Sequence, residues 1–426
     1  MTPEAPGGDA ACVVVGCGPA GAVLGLLLAR AGLDVLVLEK HGDFLRDFRG
    51  DTIHPSTLET LDELGLAERF LALPHSRVPV MTVRTADGQR IEVDVRRLGG
   101  QFPFVAFVPQ WDFLDFVTTE AARYPGFRLR MNAEVVGLVE QDGIVRGVRY
   151  RAPDGEGEAR ALLTVGADGR GSVTRAAADL PLVETSAPMD VWWFRLPRLA
   201  EDGAGASLYV GPGHIAGLFD RGDYWQVAYV IPKGADARVR AEGIDALRRA
   251  VAAEVPFLAD RVGELQSWEQ VKLLTVRSDR LRRWYRPGYL AIGDAAHAMS
   301  PVAGVGINLA IQDAVAAANV LWQPLRRGRL STRDLAAVQR QRAPAVRIIQ
   351  AVQAAVQNRL LAPALGAERV SMPSAVPLLM RLPWARDLPA RLVAYGVGRP
   401  RVRSPALAER RAADGDAAPA PRVRPG

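Results

Sequence analysis

Glycines at a fixed spacing are the first feature of this chain whose residue types could do chemistry. An apolar run over residues 11–15 passes directly into Gly16-Cys17-Gly18-Pro19-Ala20-Gly21, and a small, apolar stretch follows. Glycines spaced G-x-G-x-x-G let a backbone turn tightly and approach a diphosphate, which the N-terminal end of the next helix attracts. The pattern predicts a strand, a phosphate-binding loop and a helix.

A carboxylate stands where such a fold places the acid that binds a ribose. A second apolar run over residues 34–38 ends at Glu39, about twenty residues beyond the glycines. A carboxylate there accepts hydrogen bonds from both ribose hydroxyls of a dinucleotide. We assign Glu39 and the adjacent Lys40 to this site. The alternative is a core of the same kind without a ligand.

Two further stretches combine glycine with aspartate. Asp168-Gly169-Arg170-Gly171-Ser172 and Gly293-Asp294 each follow an apolar run typical of a strand. A loop around Pro301 then runs into an apolar helix that begins near Asn308. The N-terminus of that helix is a second anion-binding end, so the two helix starts can address opposite ends of one long cofactor.

Between these stretches the hydrophobic pattern becomes alternating. Residues 77–95 alternate about a turn at Asp87-Gly88, which predicts a hairpin. Residues 189–231 contain short runs rich in valine and aromatic residues, which predict an inserted antiparallel sheet whose face covers a second ligand. Ordinary sheet core is the interpretation for at least half of its aromatic residues. Those residues are Trp192, Phe194, Tyr209, Phe219, Trp225 and Tyr229.

Composition limits the classes of function. The chain has 426 residues, of which 49% are apolar, as in a soluble globular protein with more than one domain. The formal net charge is +6, but Lys40, Lys233 and Lys272 are the only lysines and the arginines are scattered, which excludes nucleic-acid binding.

Cysteine usage and the first residues bear on the compartment. Cys12 and Cys17 form no C-x-x-C pair, so we assign neither a disulfide nor a metal site. Residues 1–10 carry no basic leader, and we find no uninterrupted apolar run long enough to span a membrane. We therefore expect a cytoplasmic protein without a membrane span.

The three glycine-containing motifs, in this order, resemble those of the class A flavoprotein monooxygenases of the para-hydroxybenzoate hydroxylase type. The resemblance covers most of residues 11–400. It implies an α/β fold, with a Rossmann-like FAD-binding domain of the GR2 type, an inserted antiparallel β-sheet substrate domain and C-terminal helices. It also implies FAD as the bound cofactor and NAD(P)H as the co-substrate.

The resemblance assigns roles to the acidic residues and to the proline. The resemblance implies that the first glycine motif and Glu39 bind the ADP half of FAD and that Asp294 binds the ribitol. Asp168 lies near the flavin and the path of NAD(P)H. Pro301 lies in the loop above the flavin, and no catalytic acid or base is assigned.

The resemblance also assigns the flavin ring. A carbonyl group of the ring is expected to accept hydrogen bonds from the backbone N–H groups of Asn308 and Leu309. By a looser match, Arg49 and Gln110 are expected to contact the flavin. The full predicted set of cofactor-binding residues is Gly16, Gly18, Pro19, Ala20, Gly21, Glu39, Lys40, Arg49, Gln110, Val135, Asp168, Asp294, Gly304, Gly306, Asn308 and Leu309.

The implied reaction uses O2 to hydroxylate or epoxidise an apolar, aromatic or polycyclic small molecule, through a hydroperoxide at flavin C4a. It belongs to secondary metabolism or aromatic catabolism. Such oxygen transfer needs a dry pocket more than a catalytic side chain, so His54, His75 and His214 receive no role and His297 is interpreted as a packed residue.

Three alternatives stay open: a reductase or dehydrogenase of the same fold, a Baeyer–Villiger-type oxygenase, and a flavin-free NAD(P)-binding protein. The sequence has no Trp-x-Trp-x-x-Pro signature, which disfavours halogenation. In the expected domain order, residues 9–76, 104–178 and 278–330 form the FAD-binding domain, and residues 77–103 and 179–277 form the substrate domain. Residues 331–403 form C-terminal helices, and residues 404–426 form a disordered tail.

Overall fold

The fold is given by a computed structural model, which describes residues 10–45, 52–85, 87–185, 187–366 and 382–408. The helices are α1 (Pro19–Arg30), α2 (Pro55–Glu63), α3 (Ala67–Leu71), α4 (Gln110–Ala122), α5 (Val173–Ala177), α6 (Asp236–Ala241), α7 (Ile244–Glu254), α8 (Gly306–Arg326), α9 (Thr332–Val356), α10 (Ala362–Leu365) and α11 (Pro383–Tyr395). The strands are β1 (Ala10–Val15), β2 (Val35–Leu38), β3 (Thr52–Ile53), β4 (Ser76–Val78), β5 (Val80–Thr85), β6 (Arg90–Asp94), β7 (Val105–Phe107), β8 (Phe127–Arg130), β9 (Glu134–Gln141), β10 (Ile144–Ala152), β11 (Gly155–Gly166), β12 (Leu182–Thr185), β13 (Met189–Pro197), β14 (Ala206–Gly211), β15 (His214–Asp220), β16 (Tyr224–Pro232), β17 (Lys272–Leu274), β18 (Ser278–Leu281), β19 (Tyr285–Arg286) and β20 (Tyr289–Ala291).

A parallel sheet forms the centre of the larger domain. Its strands run in the order β20-β11-β1-β2-β8, and Val14 of β1 lies opposite Val165 on one side and Val37 on the other. These strands are apolar without alternation because both faces of a parallel sheet are covered. Helix α1 covers one face, and its small residues allow close packing: a side chain at Gly25 would lie 2.8 Å from the Phe127 ring.

The carboxyl ends of four parallel strands bring the sequence motifs to one edge. Strand β1 ends before Gly16 and β2 before Glu39, while β11 and β20 end shortly before Asp168 and Asp294. Ligands of open α/β sheets bind outside this edge. The fold therefore places motifs that are far apart in the sequence next to one another.

The second domain is built on a seven-stranded sheet with the order β17-β13-β16-β15-β14-β5-β6. Its neighbours are antiparallel except for β14 and β5, which run parallel. The predicted inserted sheet is confirmed, and the predicted hairpin, β5 and β6, completes its edge. A small three-stranded sheet with the order β3-β7-β4 is formed by the part of the chain between Glu39 and Asp168.

The two faces of the seven-stranded sheet differ in what they bury. One face packs on α7, where Leu247 and Val251 share a core with four of the six predicted aromatic residues. Those four are Trp192, Phe194, Trp225 and Tyr229. Successive side chains of a strand point to opposite faces, so these four side chains face α7 and do not cover a ligand. They are ordinary sheet core, as expected for at least half of the six residues. Trp193, the neighbour of Trp192, belongs to the other face.

Helix α8 is the central helix of the larger domain. A helical span over Val302–Arg326 is long and apolar enough to cross a membrane, but 78% of its apolar window is buried inside the protein, as in a core helix. Helix α9 follows and begins with a capping box, in which the Ser331 N–H donates to the Asp334 carboxylate at 2.9 Å. The predicted C-terminal helices are thus present.

The chain between Ser404 and Ala408 is packed on the larger domain, although composition predicts a disordered tail from residue 404. The N–H groups of Leu407 and Ala408 donate to the Arg30 carbonyl at 2.9 and 3.0 Å. The Ser404 N–H donates to the Asn319 side chain at 2.9 Å. Backbone hydrogen bonds hold this segment without a core of its own. Residues 409–426 lie outside the described residues.

Candidate functional site

A cavity of about 620 Å³ lies where the carboxyl edge of the parallel sheet meets the seven-stranded sheet. This volume is in the usual range for sites that bind small molecules. The predicted residues that line it are Gly16, Gly18, Pro19, Ala20, Glu39, Lys40, Gln110, Val135, Asp168, Asp294, Pro301, Gly304 and Gly306. Gly21, Asn308 and Leu309 are not among its lining residues, and Arg49 lies outside the described residues.

The glycines of the phosphate loop have three different functions. Gly16 has a φ of 92°, and a side chain there would lie 2.6 Å from the Ala167 carbonyl oxygen. At Gly21 a side chain would lie 2.0 Å from the Gly16 carbonyl oxygen, so this glycine lets α1 pack against the loop. A side chain at Gly18 would meet nothing within 4 Å. Only Gly18 therefore leaves space on the cavity side, beside the N-terminus of α1.

Glu39 is buried at the end of β2 and closes the loop from the other side. Its two carboxylate oxygens accept the N–H groups of Cys17 at 2.9 Å and His41 at 3.2 Å. A carboxylate oxygen can accept more than one hydrogen bond, which is the chemistry that binding of ribose hydroxyls needs. Burial raises the pKa of the Cys17 thiol far above its ordinary value, so Cys17 serves as a small packed residue.

Asp168 lines the cavity, but its carboxylate is bonded to its own loop. One oxygen accepts the hydroxyls of Ser172 at 2.6 Å and Thr174 at 2.9 Å, and the other accepts the Thr174 N–H at 3.0 Å. The family expectation places this residue near the flavin. The geometry adds that Asp168 holds the turn before α5.

A buried ionic network fixes the segment that carries Asp294. One carboxylate oxygen of Asp313 lies 2.5 Å from His297 Nε2 and accepts the Gly293 N–H at 3.1 Å, while the other accepts Arg342 Nε at 2.9 Å. Burial disfavours the charge of Asp313, but His297 and Arg342 hold its pKa below the usual value. His297 is buried and packs against Trp284 with the ring centroids 5.0 Å apart, which agrees with a packed role.

The loop before α8 has an unusual backbone. Ala303 has a φ of 64° and Gly304 a φ of 62°, and the Thr52 hydroxyl donates to the Gly304 carbonyl at 2.9 Å. The Leu309 N–H donates to the Val305 carbonyl at 3.0 Å, so it is used inside the helix. The N–H groups of a first helical turn have no intrahelical acceptor, so those beginning at Gly306 suit an anionic ring better than Leu309 does.

Asn308 is a structural residue of the site through its side chain. Its Oδ1 accepts the His54 N–H at 3.0 Å and the Thr57 hydroxyl at 2.7 Å. Its Nδ2 donates to the Thr52 carbonyl at 3.3 Å. These bonds join the start of α8 to β3 and α2, so Asn308 positions the loop while its side chain points away from the cavity lining.

The end of the cavity beyond this loop is aromatic. Phe219 packs against Phe107, with ring centroids 5.7 Å apart, and against Trp193, 5.9 Å away. The Arg221 guanidinium lies 4.9 Å from the centre of the Phe107 ring, and its Nε donates to Gln226 Oε1 at 2.7 Å. Among the six predicted aromatic residues, Phe219 alone lines this cavity.

Several lining residues are not predicted from the sequence: His54, Phe107, Trp193, Arg221 and Gln226. The alternation of β13 provides a signal for Trp193, because it opposes the core residue Trp192. The positions of the other four residues depend on pairing between β3 and β7 and on the turn between β15 and β16. Their spacing in the sequence carries no such information.

The residues present fit a long dinucleotide cofactor. The space beside Gly18 at the N-terminus of α1 suits a diphosphate, and Glu39 suits a ribose. The start of α8 lies in the same cavity and provides a second positive helix end. Among the described residues, no group of three or more His, Cys, Asp or Glu side chains is placed to hold a metal ion.

Comparisons with known proteins agree with this geometry. The family described as FAD binding domain matches residues 9–354. The chain is 35% identical over 407 residues to the 6-methylpretetramide 4-monooxygenase of Streptomyces rimosus, which covers 94% of this chain and 96% of that protein.

Two solved structures support the fold. The anhydrotetracycline hydroxylase from Streptomyces rimosus matches with a TM-score of 0.71 and 22% identity, covering 90% of this chain and 75% of that one. The p-nitrophenol 4-monooxygenase from Pseudomonas putida matches with a TM-score of 0.71 and 21% identity, covering 90% and 94%.

Proposed function

Because this chain belongs to the FAD binding domain family and is a FAD-dependent monooxygenase of class A, we propose that it hydroxylates a planar polycyclic aromatic substrate. The substrate class is supported by the relative from Streptomyces rimosus, whose name specifies a polycyclic compound. We further propose that the reaction belongs to secondary metabolism and that the protein is cytoplasmic, without a membrane span.

The observation that carries this proposal is the aromatic end of the cavity. Trp193, Phe107 and Phe219 form a wall against which a flat apolar molecule can stack. The wall lies in the same cavity as Pro301 and Gly304, the loop that the family places above the flavin. A substrate on this wall therefore lies next to the reactive end of the cofactor.

Polar groups at the same end suit a substrate that carries oxygen atoms. The buried indole N–H of Trp193 has no acceptor among the described residues. Arg221 brings a positive charge to the wall, and Gln226 holds the guanidinium. A few fixed polar groups in a largely apolar pocket orient a ligand and determine specificity.

FAD, once reduced by NAD(P)H, supplies the activated oxygen atom and the electrons when it is bound. Gly18, Glu39 and Asp294 would hold its nucleotide and ribitol parts. The N-terminus of α8 stabilises negative charge on the ring through its partial positive charge. The aromatic wall orients the substrate and excludes water, and Arg221 stabilises negative charge on a substrate oxygen.

The test is to incubate purified holoprotein with NADH or NADPH, O2 and 6-methylpretetramide, and to follow O2 uptake and product mass. We expect one O2 consumed per nicotinamide oxidised and a product heavier by one oxygen atom. A product that gains two hydrogens without O2 uptake would identify a reductase of the same fold. Protein that binds no flavin would contradict the assignment to this enzyme class.

A further inference from the structure

His54 is a buried residue of the cavity lining that the mechanism above does not use. It follows β3, and its side chain is 1% exposed. Its backbone N–H donates to Asn308 Oδ1 at 3.0 Å, and the preceding Thr52 hydroxyl donates to the Gly304 carbonyl at 2.9 Å. The segment is therefore clamped to the loop above the flavin and to the start of α8.

The position of His54 along the cavity is set by strand pairing. Thr52 pairs with Phe107 and Ile53 pairs with Ala106 in the antiparallel ladder of β3 and β7. Phe107 belongs to the aromatic wall, and Gly304 belongs to the flavin loop. His54 thus lies at the end of the cavity where substrate and flavin meet, far from the adenosine end at Glu39.

The protonation pattern of the ring follows from its partner. Nδ1 of His54 lies 2.5 Å from the carbonyl oxygen of Val393 in helix α11. A carbonyl can only accept, so Nδ1 carries the hydrogen and Nε2 carries a lone pair. Among the described residues none forms a hydrogen bond with Nε2. The lone pair is therefore available to a molecule in the cavity.

Resting on the proposed function, we propose that His54 is a catalytic residue whose Nε2 accepts the proton of a hydroxyl group on the aromatic substrate while oxygen is transferred. The ring remains neutral at working pH, since burial lowers the pKa of His54 to about 4 against the opposing effect of the bond to Val393. A neutral imidazole is the form that can accept a proton.

Proton transfer to His54 accompanies formation of the new carbon–oxygen bond. The ring carbon conjugated to the hydroxyl forms a bond to the transferred oxygen atom, and the bond that joined this atom to its donor breaks and leaves its electron pair on the donor as an oxyanion. The O–H bond of the substrate breaks at the same time, with its electron pair forming the carbonyl. The proton goes to Nε2, and the imidazolium keeps its Nδ1–H bond to Val393. When the ring carbon then loses its own hydrogen as a proton, that proton neutralises the oxyanion left on the oxygen donor and aromaticity returns. The imidazolium returns its proton to the carbonyl oxygen, which becomes a hydroxyl group again.

A weakly basic imidazole suffices because the hydroxyl becomes a strong acid during the step. As the ring carbon bonds to oxygen, electron density leaves the O–H group, which changes from a phenol toward a protonated ketone. General bases that act in such a transition state contribute roughly 10²-fold to 10⁴-fold. Arg221 adds a positive charge at the same end of the cavity, which favours loss of the proton.

The first experiment compares His54→Gln with His75→Gln in the holoenzyme, using 6-methylpretetramide. Glutamine keeps an N–H for the Val393 carbonyl but is not basic. His75 is the matched control, because its Nδ1 also lies near a carbonyl, that of Leu73 at 2.7 Å, and it is not among the cavity lining residues. We expect His54→Gln to keep its FAD, to slow product formation by about 100-fold or more, and to release hydrogen peroxide instead.

The two proposals fail in different ways. Product formation by His54→Gln at the unmodified rate, with His75→Gln equal, overturns the role of His54 and leaves the proposed function intact. Absence of product from the unmodified enzyme with every polycyclic phenol overturns the proposed function and the base together.

A second experiment needs no turnover. 2-Naphthol and 2-methoxynaphthalene are titrated against the unmodified holoprotein, and binding is followed by the change in flavin absorbance. The lone pair of His54 predicts tighter binding of the naphthol by about tenfold, the size expected for one hydrogen bond. His54→Phe should remove this preference. Equal affinity for the two probes in the unmodified protein would overturn the proposal.

Discussion

At Gly18 an added methyl group should weaken cofactor binding without changing the stability of the fold. Its backbone is extended, with φ −72° and ψ −176°, which alanine adopts without strain, and a side chain there would contact no protein atom within 4 Å. That side chain would occupy the space of the diphosphate. We expect Gly18→Ala to keep its melting temperature without ligand and to lose about 1–3 kcal/mol of FAD affinity, measured by flavin titration of the apoprotein.

Gly263→Ala is the matched control for this variant. Gly263 also has open space around it, but it lies on the surface outside the cavity lining. Equal FAD affinity of the two variants and the unmodified protein would show that the diphosphate lies elsewhere.

Glu39 provides a second prediction about cofactor binding. Its oxygens already accept N–H groups from Cys17 and His41, and the charge strengthens the remaining bonds to a ribose. Glu39→Gln should lower FAD affinity by about 1–3 kcal/mol while the fold survives. Flavin retention after gel filtration measures this, with the exposed Glu158→Gln as the control. Retention equal to that of the control would remove Glu39 from the ribose site.

The segment from β20 to α8 contains a residue expected to bind the ribitol and a loop expected to move during the reaction. Asp294 follows a strand at the ligand-binding edge and is fixed by the network around Asp313, whereas Pro301 opens a loop with left-handed backbone at Ala303 and Gly304. The two parts should therefore fail differently when they are changed.

Asp294→Ala and Pro301→Ser test this difference. The first should lose bound FAD, because a hydrogen-bond acceptor for the ribitol is removed. Pro301→Ser removes no hydrogen-bond donor and no charge, so flavin content should stay near normal. The rate of flavin reduction and the fraction of reduced flavin that is lost as hydrogen peroxide should change. Stopped-flow reduction and a peroxide assay measure both. A Pro301 variant that simply loses FAD would show that the loop is a binding clamp.

At the scale of the whole molecule, the C-terminal helix α11 reaches into the site through Val393 and His54. Burial lowers the pKa of His54 from 6.5 to about 4, so between these pH values the unfolded chain binds a proton at this residue and the folded chain does not. This contribution to stability is fully present above pH 6.5, decreases as pH falls below 6.5, and is lost once pH has fallen to about 4. At pH 5 the loss amounts to about 2 kcal/mol.

A comparison of the unmodified protein with His54→Gln isolates this effect from the titration of other groups. The stability advantage of the unmodified protein over the variant should shrink by about 2 kcal/mol between pH 7.5 and pH 5, measured by urea unfolding. An advantage that does not change with pH would show that His54 is not buried in its neutral form.

What the sequence predicts correctly is local, and what it misses depends on distant contacts. The phosphate loop is predictable because strand, glycines, helix and acid follow one another within residues 10–39. His54 is not, because its partner Val393 is 339 residues away. The sequence predicts that at least half of the six aromatic residues are ordinary sheet core, but it does not identify which ones line the cavity, since composition does not show which side of β13 packs on α7.

The most direct test of the central claim is turnover under ¹⁸O2 in ordinary water, with the holoprotein, NAD(P)H and 6-methylpretetramide. The account predicts a product that carries one ¹⁸O atom, with one nicotinamide oxidised for each product formed. A product without ¹⁸O, whether it has gained hydrogen or oxygen from water, would contradict the assignment of this cavity to oxygen transfer from O2.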